Sequence, residues 1–228
     1  MEQKSFNRAS EDVPLIINPS ESHMALVLVL DVSGSMQGEP IAQLNAGINR
    51  FKADVCKDKL TRRILDVAII CFYDRFEVLQ DFVPIEHMEH VNLEAGGLTN
   101  FTEPIREAMR MADERGKFYR RHGTEPFKPW IIFVTDGEPH DDITQIAKQV
   151  QKAQEKNKIR FIALGVGDYK LAPLRQLTDV VIRMEGYDFT SFFDWVNKSM
   201  RAVSVSSPGE RPSIPPLEGN VHRDMSDV

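Results

Sequence analysis

Oxygen-bearing side chains directly follow the most apolar stretch of the chain. Residues 24–30, MALVLVL, are continuously apolar, and Asp31, Ser33 and Ser35 come next. In an extended backbone, side chains at positions i, i+2 and i+4 point the same way. These three can therefore direct one carboxylate and two hydroxyl groups at a single point, while Gly34 allows the backbone to turn tightly between the serines.

Two later segments bring more oxygen atoms to the same place. The apolar run 130–134 is followed by Thr135-Asp136-Gly137, so a second carboxylate, that of Asp136, arrives at a strand end. Between the two runs, the glycine-containing loop 96–102, GGLTNFT, can add one or two hydroxyl groups. Open α/β sheets bind ligands outside the carboxyl ends of their strands. The pattern therefore indicates a binding site at one edge of a sheet.

The elements that would position these loops alternate between strand and helix. Short apolar runs predict strands buried on both faces, and apolar residues at helical spacing predict the helices between them. This order predicts an α/β fold with a mostly parallel six-stranded central sheet, one antiparallel edge strand and helices on both faces. The predicted strands are 24–30, 65–72, 76–83, 130–134, 159–166 and 180–184, and the predicted helices start near 40, 104, 143, 171 and 189.

Composition divides the chain into one domain with two flanking segments. Residues 1–22 are rich in Ser, Asn, Pro and charge, and we interpret them as an N-terminal extension. Residues 23–203 hold all the periodic elements. Residues 204–228 are rich in Ser, Pro, Gly and charge, so we expect a tail that contributes nothing to a core.

Charge and hydropathy exclude several classes of function. The net charge of -6 argues against non-specific nucleic-acid binding, which needs a strong positive field. No apolar run approaches the ~20 residues that span a bilayer, and the start of the chain has no apolar signal segment. Both cysteines, Cys56 and Cys71, lie in apolar periodic segments and are predicted to be buried free thiols. We therefore expect a cytoplasmic protein that binds neither membrane nor nucleic acid.

The three loops resemble a known metal site. The D-x-S-x-S sequence, the later G-G-x-T loop and the T-D-G strand end are similar to the metal-ion-dependent adhesion site of von Willebrand factor type A (vWA) domains, over about residues 24–200. The resemblance implies a Rossmann-like vWA fold. It also implies a set of metal ligands, which are Asp31, Ser33, Ser35, Thr99 and Asp136.

A narrower resemblance is to the bacterial tellurium-resistance vWA proteins of the TerY-like group. It rests on the phrases INPSES, LDVSGSMQGEPIAQLNAGI, FVTDGEP, ALGVGD and AVSVSSPGE, which span nearly the whole chain. The resemblance implies a role in stress-response signalling. It also implies a partner that is a regulatory protein, such as a kinase or phosphatase encoded nearby.

The donor types of the implied site predict its ion and its ligand. All five donors are oxygens, which suit Mg²⁺, or Mn²⁺ or Ca²⁺, better than Zn²⁺. Three hydroxyls and two carboxylates do not enclose the ion. If one aspartate ligates it directly and the other acts through water, the ion keeps net positive character and room for an outside anion. We therefore predict a metal-dependent interaction module, and not an enzyme, that binds an acidic or phosphorylated group of another protein.

Two other functions are compatible with parts of the pattern. A strand-end Asp31 could serve as the nucleophile of a phosphohydrolase of the haloacid dehalogenase type. Such enzymes carry a second aspartate two residues later as general acid, and here that position is Ser33, whose hydroxyl serves this role poorly. The other alternative is an interaction module whose site holds no metal.

The second loop departs from the usual vWA pattern after Thr99. Phe101, Thr102 and Glu103 stand where many vWA domains have small residues. Thr102 is expected to cap the helix opened by Pro104, although its hydroxyl could also contribute to the metal site. Two carboxylates, those of Glu103 and Glu138, lie close to the predicted site in sequence and could take part in it.

Three other polar clusters have a simple structural interpretation beside a functional one. His140, Asp141 and Asp142 resemble a second metal cluster, but acidic residues favour helix starts, so a solvated helix start is the preferred interpretation. His87 and His90 are expected in a surface turn. The basic run 117–122 is expected to be a solvated helix face, with a patch for an acidic partner as the alternative.

Overall fold

A seven-stranded sheet forms the middle layer of the protein in the computed structural model, which describes residues 21–224. The strand order is 3-2-1-4-5-6-7, so the first strand lies inside the sheet and the chain crosses over it. The strands are β1 (Met24–Asp31), β2 (Leu65–Phe72), β3 (Phe76–Pro84), β4 (Trp130–Thr135), β5 (Arg160–Val166), β6 (Val181–Met184) and β7 (Val221–Arg223).

The burial of the central strand β1 explains its apolar sequence. It pairs in parallel with β2 on one side and with β4 on the other, and all eight of its residues are buried. A strand covered by helices on both faces needs apolar side chains on both, which is why residues 24–30 are continuously apolar rather than alternating. Asp31, the last residue of β1, is thereby placed at the carboxyl edge of the sheet.

Six helices cover the two faces. Helices α1, α2 and α6 pack with one buried cluster, which contains Phe51 and Met200, and helices α3, α4 and α5 pack with the other, which contains Ile105 and Val150. Between residues 21 and 224, no helix is both long and apolar enough to cross a membrane. The helices are α1 (Glu39–Val55), α2 (Lys59–Ile64), α3 (Thr102–Arg121), α4 (Thr144–Glu155), α5 (Leu171–Leu177) and α6 (Thr190–Ser204).

The predicted α/β architecture is confirmed, with one strand more than expected. β3 is antiparallel to β2, as the short turn between them predicted. The sheet has seven strands rather than six because β7 adds a second antiparallel edge beside β6. β7 has three residues, Val-His-Arg, which is too short for a period-two pattern to be recognised. The short helix α2 was also not predicted.

The segment after α6 returns to the core, which its composition did not indicate. Val221 is fully buried and pairs with Met184, while Ile214 and Leu217 pack against the apolar cluster on the α1 side. The indole N–H of Trp195 on α6 donates to the carbonyl of Pro215 at 2.9 Å. The expectation that residues 204–228 contribute nothing to a core was therefore wrong for residues 214–221, because a few well-placed apolar side chains are enough to fasten a polar segment.

A buried polar cluster fastens the second half of α3 to the sheet. Asp66, at the start of β2, accepts hydrogen bonds from the guanidinium of Arg115 at 2.6 Å and from the hydroxyl of Tyr119. The ring of His23 stacks on that of Tyr119, with centroids 5.3 Å apart. Because α3 runs from the carboxyl edge of the sheet toward this cluster, the cluster also limits where the first turn of α3 can lie.

The two cysteines are free, as predicted, but only one is fully buried. Cys71 on β2 is buried, and burial raises the pKa of its thiol to about 11. Cys56, which follows α1, is partly exposed.

Shortening the buried side chain of β7 tests whether this strand belongs to the folded core. We expect Val221→Ala to lower the free energy of unfolding by about 1–2 kcal/mol, because it removes roughly two buried methylene equivalents. His222→Ala, at an exposed position of the same strand, should change it by less than about 0.5 kcal/mol. Urea unfolding followed by circular dichroism measures both, and equal effects of the two changes would contradict the placement of β7.

Candidate metal centre

Two neighbouring strand ends create the candidate site. β1 and β4 are parallel and in register, with Leu30 opposite Val134, so the next residues, Asp31 and Thr135, lie side by side. The two strands are adjacent in space although about a hundred residues separate them in the chain. This is the crossover point of the sheet, where the loops leaving neighbouring strands diverge and leave a crevice between them.

Asp31 is a fully buried carboxylate held from two sides. Its Oδ1 atom accepts the backbone N–H of Ser33 at 2.8 Å, and its Oδ2 atom accepts the hydroxyl of Thr135 at 2.5 Å. Burial raises the pKa of Asp31 to about 6, because a charged carboxylate loses its hydration there, and the hydrogen bonds from Ser33 and Thr135 offset only part of that loss. The nearby charge of Asp136 adds to the increase.

A chain of oxygen atoms links the first loop to the third. The hydroxyl oxygens of Ser33 and Ser35 are 3.1 Å apart, and the Ser35 hydroxyl donates to Oδ1 of Asp136 at 2.7 Å. Asp136 is half-buried, and this burial raises the pKa of its carboxyl group. Ser33 is buried whereas Ser35 is exposed, so the chain runs from the interior to the surface.

The second loop is fastened to the first by backbone hydrogen bonds. The N–H of Gly34 donates to the carbonyl of Gly97 at 2.9 Å, and the N–H of Gly96 donates to the carbonyl of Val32 at 2.7 Å. Gly97 has a φ of 86° and its Cα lies against the ring of Tyr73, where a Cβ would come within 2.8 Å of a ring carbon. Both the backbone angle and the lack of space therefore require glycine at this position.

Gly137 lies beside both the second loop and Asp31. A Cβ atom built on Gly137 would lie 3.3 Å from the hydroxyl oxygen of Thr99 and 3.8 Å from Oδ2 of Asp31. A side chain at this position would therefore come between Thr99 and Asp31. The structure thus brings together the five side chains named from the sequence, which we call the strand-end site: Asp31, Ser33, Ser35, Thr99 and Asp136.

Two residues support this site in roles that were not predicted from the sequence. Thr135 donates its hydroxyl to Asp31 and accepts the N–H of Gly137 at 3.1 Å, so it connects the two strand ends. Its place in the T-D-G sequence could have indicated this role. Asp141 accepts the N–H groups of Phe101 and Thr102, both at 2.8 Å, across some forty residues of chain, and no local pattern could have indicated that.

The cluster His140-Asp141-Asp142 is therefore only in part the solvated helix start that was expected. Asp142 does accept the N–H of Thr144, the first residue of α4, at 2.9 Å. Asp141 instead caps α3, and the N–H of His140 donates to the carbonyl of Thr99 at 2.8 Å. These two residues hold the second loop in place.

The expected role of Thr102 as a helix cap was wrong. α3 begins at Thr102 itself, the preceding residue Phe101 makes no side-chain cap, and Asp141 occupies the first N–H groups. The hydroxyl of Thr102 is 3.3 Å from the carbonyl of Asp142. Of the two extra carboxylates, Glu103 is paired with Arg106 one turn along α3, and Glu138 is exposed beside the site.

The donor set fits a hard divalent cation. Two carboxylates whose ionisation is opposed by burial lie beside three hydroxyl groups, and a cation would compensate their charge. Elsewhere in residues 21–224, as here, no group of three or more His, Cys, Asp or Glu side chains is arranged to hold a metal. His87, which was expected in a surface turn, is mostly exposed in the short turn 85–87.

Known proteins share the fold. The family model described as "von Willebrand factor type A domain" matches residues 25–194. An uncharacterized protein of Methanocaldococcus jannaschii is 25% identical over 190 residues, which cover 82% of this chain and 44% of that protein.

Two solved structures illustrate the likeness. A von Willebrand factor type A protein from Catenulispora acidiphila has a TM-score of 0.62 at 17% identity, covering 79% of this chain and 43% of that one. Proximal thread matrix protein 1 from the mussel byssus, solved with a zinc-occupied metal-ion-dependent adhesion site, has a TM-score of 0.52 at 18% identity, covering 81% and 45%. The chain thus spans less than half the length of these relatives.

Replacing Asp31 by a neutral residue tests how far its buried charge lowers the free energy of unfolding. In EDTA at pH 7, we expect Asp31→Asn to raise the free energy of unfolding by up to about 3 kcal/mol, because ionised Asp31 is disfavoured in the folded state by roughly two pKa units. The folded-state pKa lies above the ordinary value. The difference between variant and wild type should therefore shrink as the pH falls through about 6 and should vanish below about 3, where Asp31 is protonated in both the folded and the unfolded state.

The matched control is Asp168→Asn, an exposed carboxylate that follows β5 at the same edge of the sheet. It should change the stability by less than about 0.5 kcal/mol. If Asp31→Asn were less stable than wild type in EDTA, the hydrogen bonds to Asp31 would outweigh the unfavourable burial of its charge, and the prediction would be wrong.

Proposed function

The chain belongs to the von Willebrand factor type A family, and we propose that its strand-end site holds a divalent cation through which the protein binds an acidic group of a partner protein. Domains of this family act as protein-interaction modules. The observation that carries the proposal is that hydroxyl and carboxylate oxygens from three loops meet around Gly137.

The roles of the residues follow from their burial. Ser33, Ser35 and Thr99 would supply neutral oxygens, and Asp31 and Asp136 would supply the two negative charges. Ser35 is exposed and Asp136 half-buried, so the outer side of the site is open to solvent and to a ligand. Thr135 and Asp141 would act indirectly, since their hydrogen bonds hold Asp31 and the second loop in position.

An incompletely enclosed cation selects an anionic ligand. A cation that one aspartate ligates directly and the other holds only through water keeps positive character and open positions, which a carboxylate or a phosphate group of another protein can fill. Mg²⁺ is the first candidate, with Mn²⁺ or Ca²⁺ as alternatives, because all the donors are hard oxygens. Zinc is included in the test, since it occupies the corresponding motif of the mussel protein.

The buried position of Asp31 favours a binding function over a hydrolytic one. A nucleophilic aspartate needs one oxygen free to attack phosphorus, whereas both oxygens of Asp31 accept hydrogen bonds and the side chain is fully buried. Ser33 occupies the position of the general acid, and its hydroxyl oxygen is 3.1 Å from that of Ser35. A serine hydroxyl serves poorly as a general acid.

For the cellular role, the likeness to tellurium-resistance proteins supports a place in bacterial stress-response signalling. The partner in that setting would be a regulatory protein such as a kinase or phosphatase, and the compartment would be the cytoplasm. These assignments rest on the sequence phrases alone.

Metal binding is measured first, by isothermal titration of the EDTA-treated, dialysed protein with Mg²⁺, Mn²⁺, Ca²⁺ and Zn²⁺. We expect Asp136→Ala to weaken binding by about tenfold or more, because one of two charged donors is lost, an effect of at least ~1.4 kcal/mol. Asp168→Asn should leave the affinity unchanged. Equal affinities of wild type and Asp136→Ala would exclude Asp136 as a ligand.

Partner binding is then measured by passing cell lysate over the immobilised protein in Mg²⁺ and in EDTA. We expect partner proteins that are retained in Mg²⁺ only, and that Asp31→Asn does not retain, because the cation forms the contact. Asp168→Asn should retain them as wild type does. Retention that ignores both EDTA and Asp31→Asn would place the interface elsewhere.

Hydrolysis of p-nitrophenyl phosphate in Mg²⁺ tests the enzymatic alternative. The expected result is no turnover that depends on Asp31, because both of its oxygens are engaged. Turnover by the wild type that Asp31→Asn abolishes would establish an enzyme in place of an interaction module.

A further inference from the structure

A basic groove lies at the opposite edge of the sheet from the strand-end site. Its volume is about 1110 Å³, and it is lined by parts of α3 and α4 and of the segment 206–214. Trp130 and Arg160, the first residues of β4 and β5, also line it. Since β4 is six residues long, the groove is about 20 Å from the metal edge at ~3.3 Å per residue.

The charge of the groove is opposite to that of the whole chain. Seven of its lining residues are Lys or Arg and three are Asp or Glu, although the chain has a net charge of -6. Of the acidic residues, Asp113 is paired with Lys117 at 2.6 Å, and Glu210 accepts the N–H of Ser207 at 2.7 Å. Within residues 21–224, none of the seven basic side chains lies within 4.0 Å of a carboxylate. The lining therefore carries an excess of positive charge, and none of its basic side chains is in an ion pair among the described residues.

Lys128 lies close enough to two other cations of this groove, Arg160 and Arg211, to be repelled by both. The pKa of Lys128 is lowered by the protein that partly covers it and by the charges of Arg160 and Arg211. Burial also lowers the pKa of Arg160, whose buried Nε has no hydrogen-bond partner among the described residues. The guanidinium of Arg160 is 4.7 Å from the centre of the Trp130 ring, and this contact orients it. A bound anion would relieve the repulsion and supply the missing acceptor.

The size and lining of the groove indicate which kind of molecule carries the anionic group. Its volume exceeds the upper end of ~1,000 Å³ for small-molecule pockets, and Pro126, Pro129 and Ile214 add apolar walls that suit a peptide chain. Its aromatic residues, Phe127 and Trp130, are only 7% and 3% exposed, so neither ring is open for stacking a nucleobase. A doubly charged phosphate matches three clustered cations better than one carboxylate does.

We propose that the basic groove binds a phosphorylated segment of a partner protein, with Lys128, Arg160 and Arg211 contacting the phosphate group. The binding needs no metal and is independent of the strand-end site. The protein would then hold two partners, or two parts of one partner, at opposite edges of its sheet.

The probe is a fluorescent pool of degenerate-sequence phosphoserine peptides, with the same pool unphosphorylated as reference. Binding to the full chain is followed by fluorescence anisotropy in EDTA, which removes any contribution from a bound cation. The phosphorylated pool should bind about tenfold more tightly or better, as expected for charge-assisted contacts. The double variant Lys128→Gln/Arg211→Gln should lose this preference.

The matched control is Lys148→Gln/Lys170→Gln, which removes the same charge from exposed positions outside the groove and should keep the preference. Circular dichroism should show that both double variants are folded, since all four side chains are exposed. Equal binding of the two peptide pools, or wild-type binding by Lys128→Gln/Arg211→Gln, would overturn the proposal. So would a loss of binding in Asp31→Asn, which would assign the peptides to the strand-end site.

Two competitors distinguish other sources of phosphate. Inorganic phosphate should displace the peptides only at far higher concentration, because it makes no contact with the apolar walls. Displacement at equal concentration would indicate a site for the free ion and would overturn the proposal. Tighter binding of a mixed-sequence single-stranded DNA than of the phosphopeptides would also overturn the proposal, and would indicate that the groove binds nucleic acid.

Discussion

A carboxylate buried at the end of the central strand is the constraint around which this structure is arranged. Asp31 has no contact with solvent, and its ionised form is opposed by that burial. The surrounding residues provide donors on both of its oxygens, a glycine where a side chain would fill the crevice, and a second loop held from two directions. A protein selected for stability alone would place an apolar side chain at this position. The loss of stability caused by burying this charge occurs where the three loops meet, and such local losses of stability are typical of functional sites.

The sequence was informative wherever a signal was local or periodic. The continuous apolar run 24–30 predicted a central strand, and the polar residues after it predicted which edge of the sheet would carry the site. The five side chains of the strand-end site could be named because each follows a recognisable strand or glycine loop.

The features that were missed depend on contacts between distant parts of the chain. Asp141 caps α3 from a different loop, so its role follows from the packing of two loops and not from its neighbours in sequence. β7 is three residues long and is recognised only through its pairing with β6. The basic groove collects cations from α3, from α4, from the starts of two strands and from residues after α6, and of these only Arg120 belonged to a visible basic run, 117–122.

Both outer strands of the sheet run antiparallel to their neighbours, and this has a consequence for how the protein can self-associate. β3 has an irregular register with β2, and β7 offers only three residues, two of them exposed and polar, His222 and Arg223. Neither border is a long, flat, apolar template to which another chain could add by backbone pairing. Self-association through backbone pairing is therefore disfavoured at both borders of the sheet.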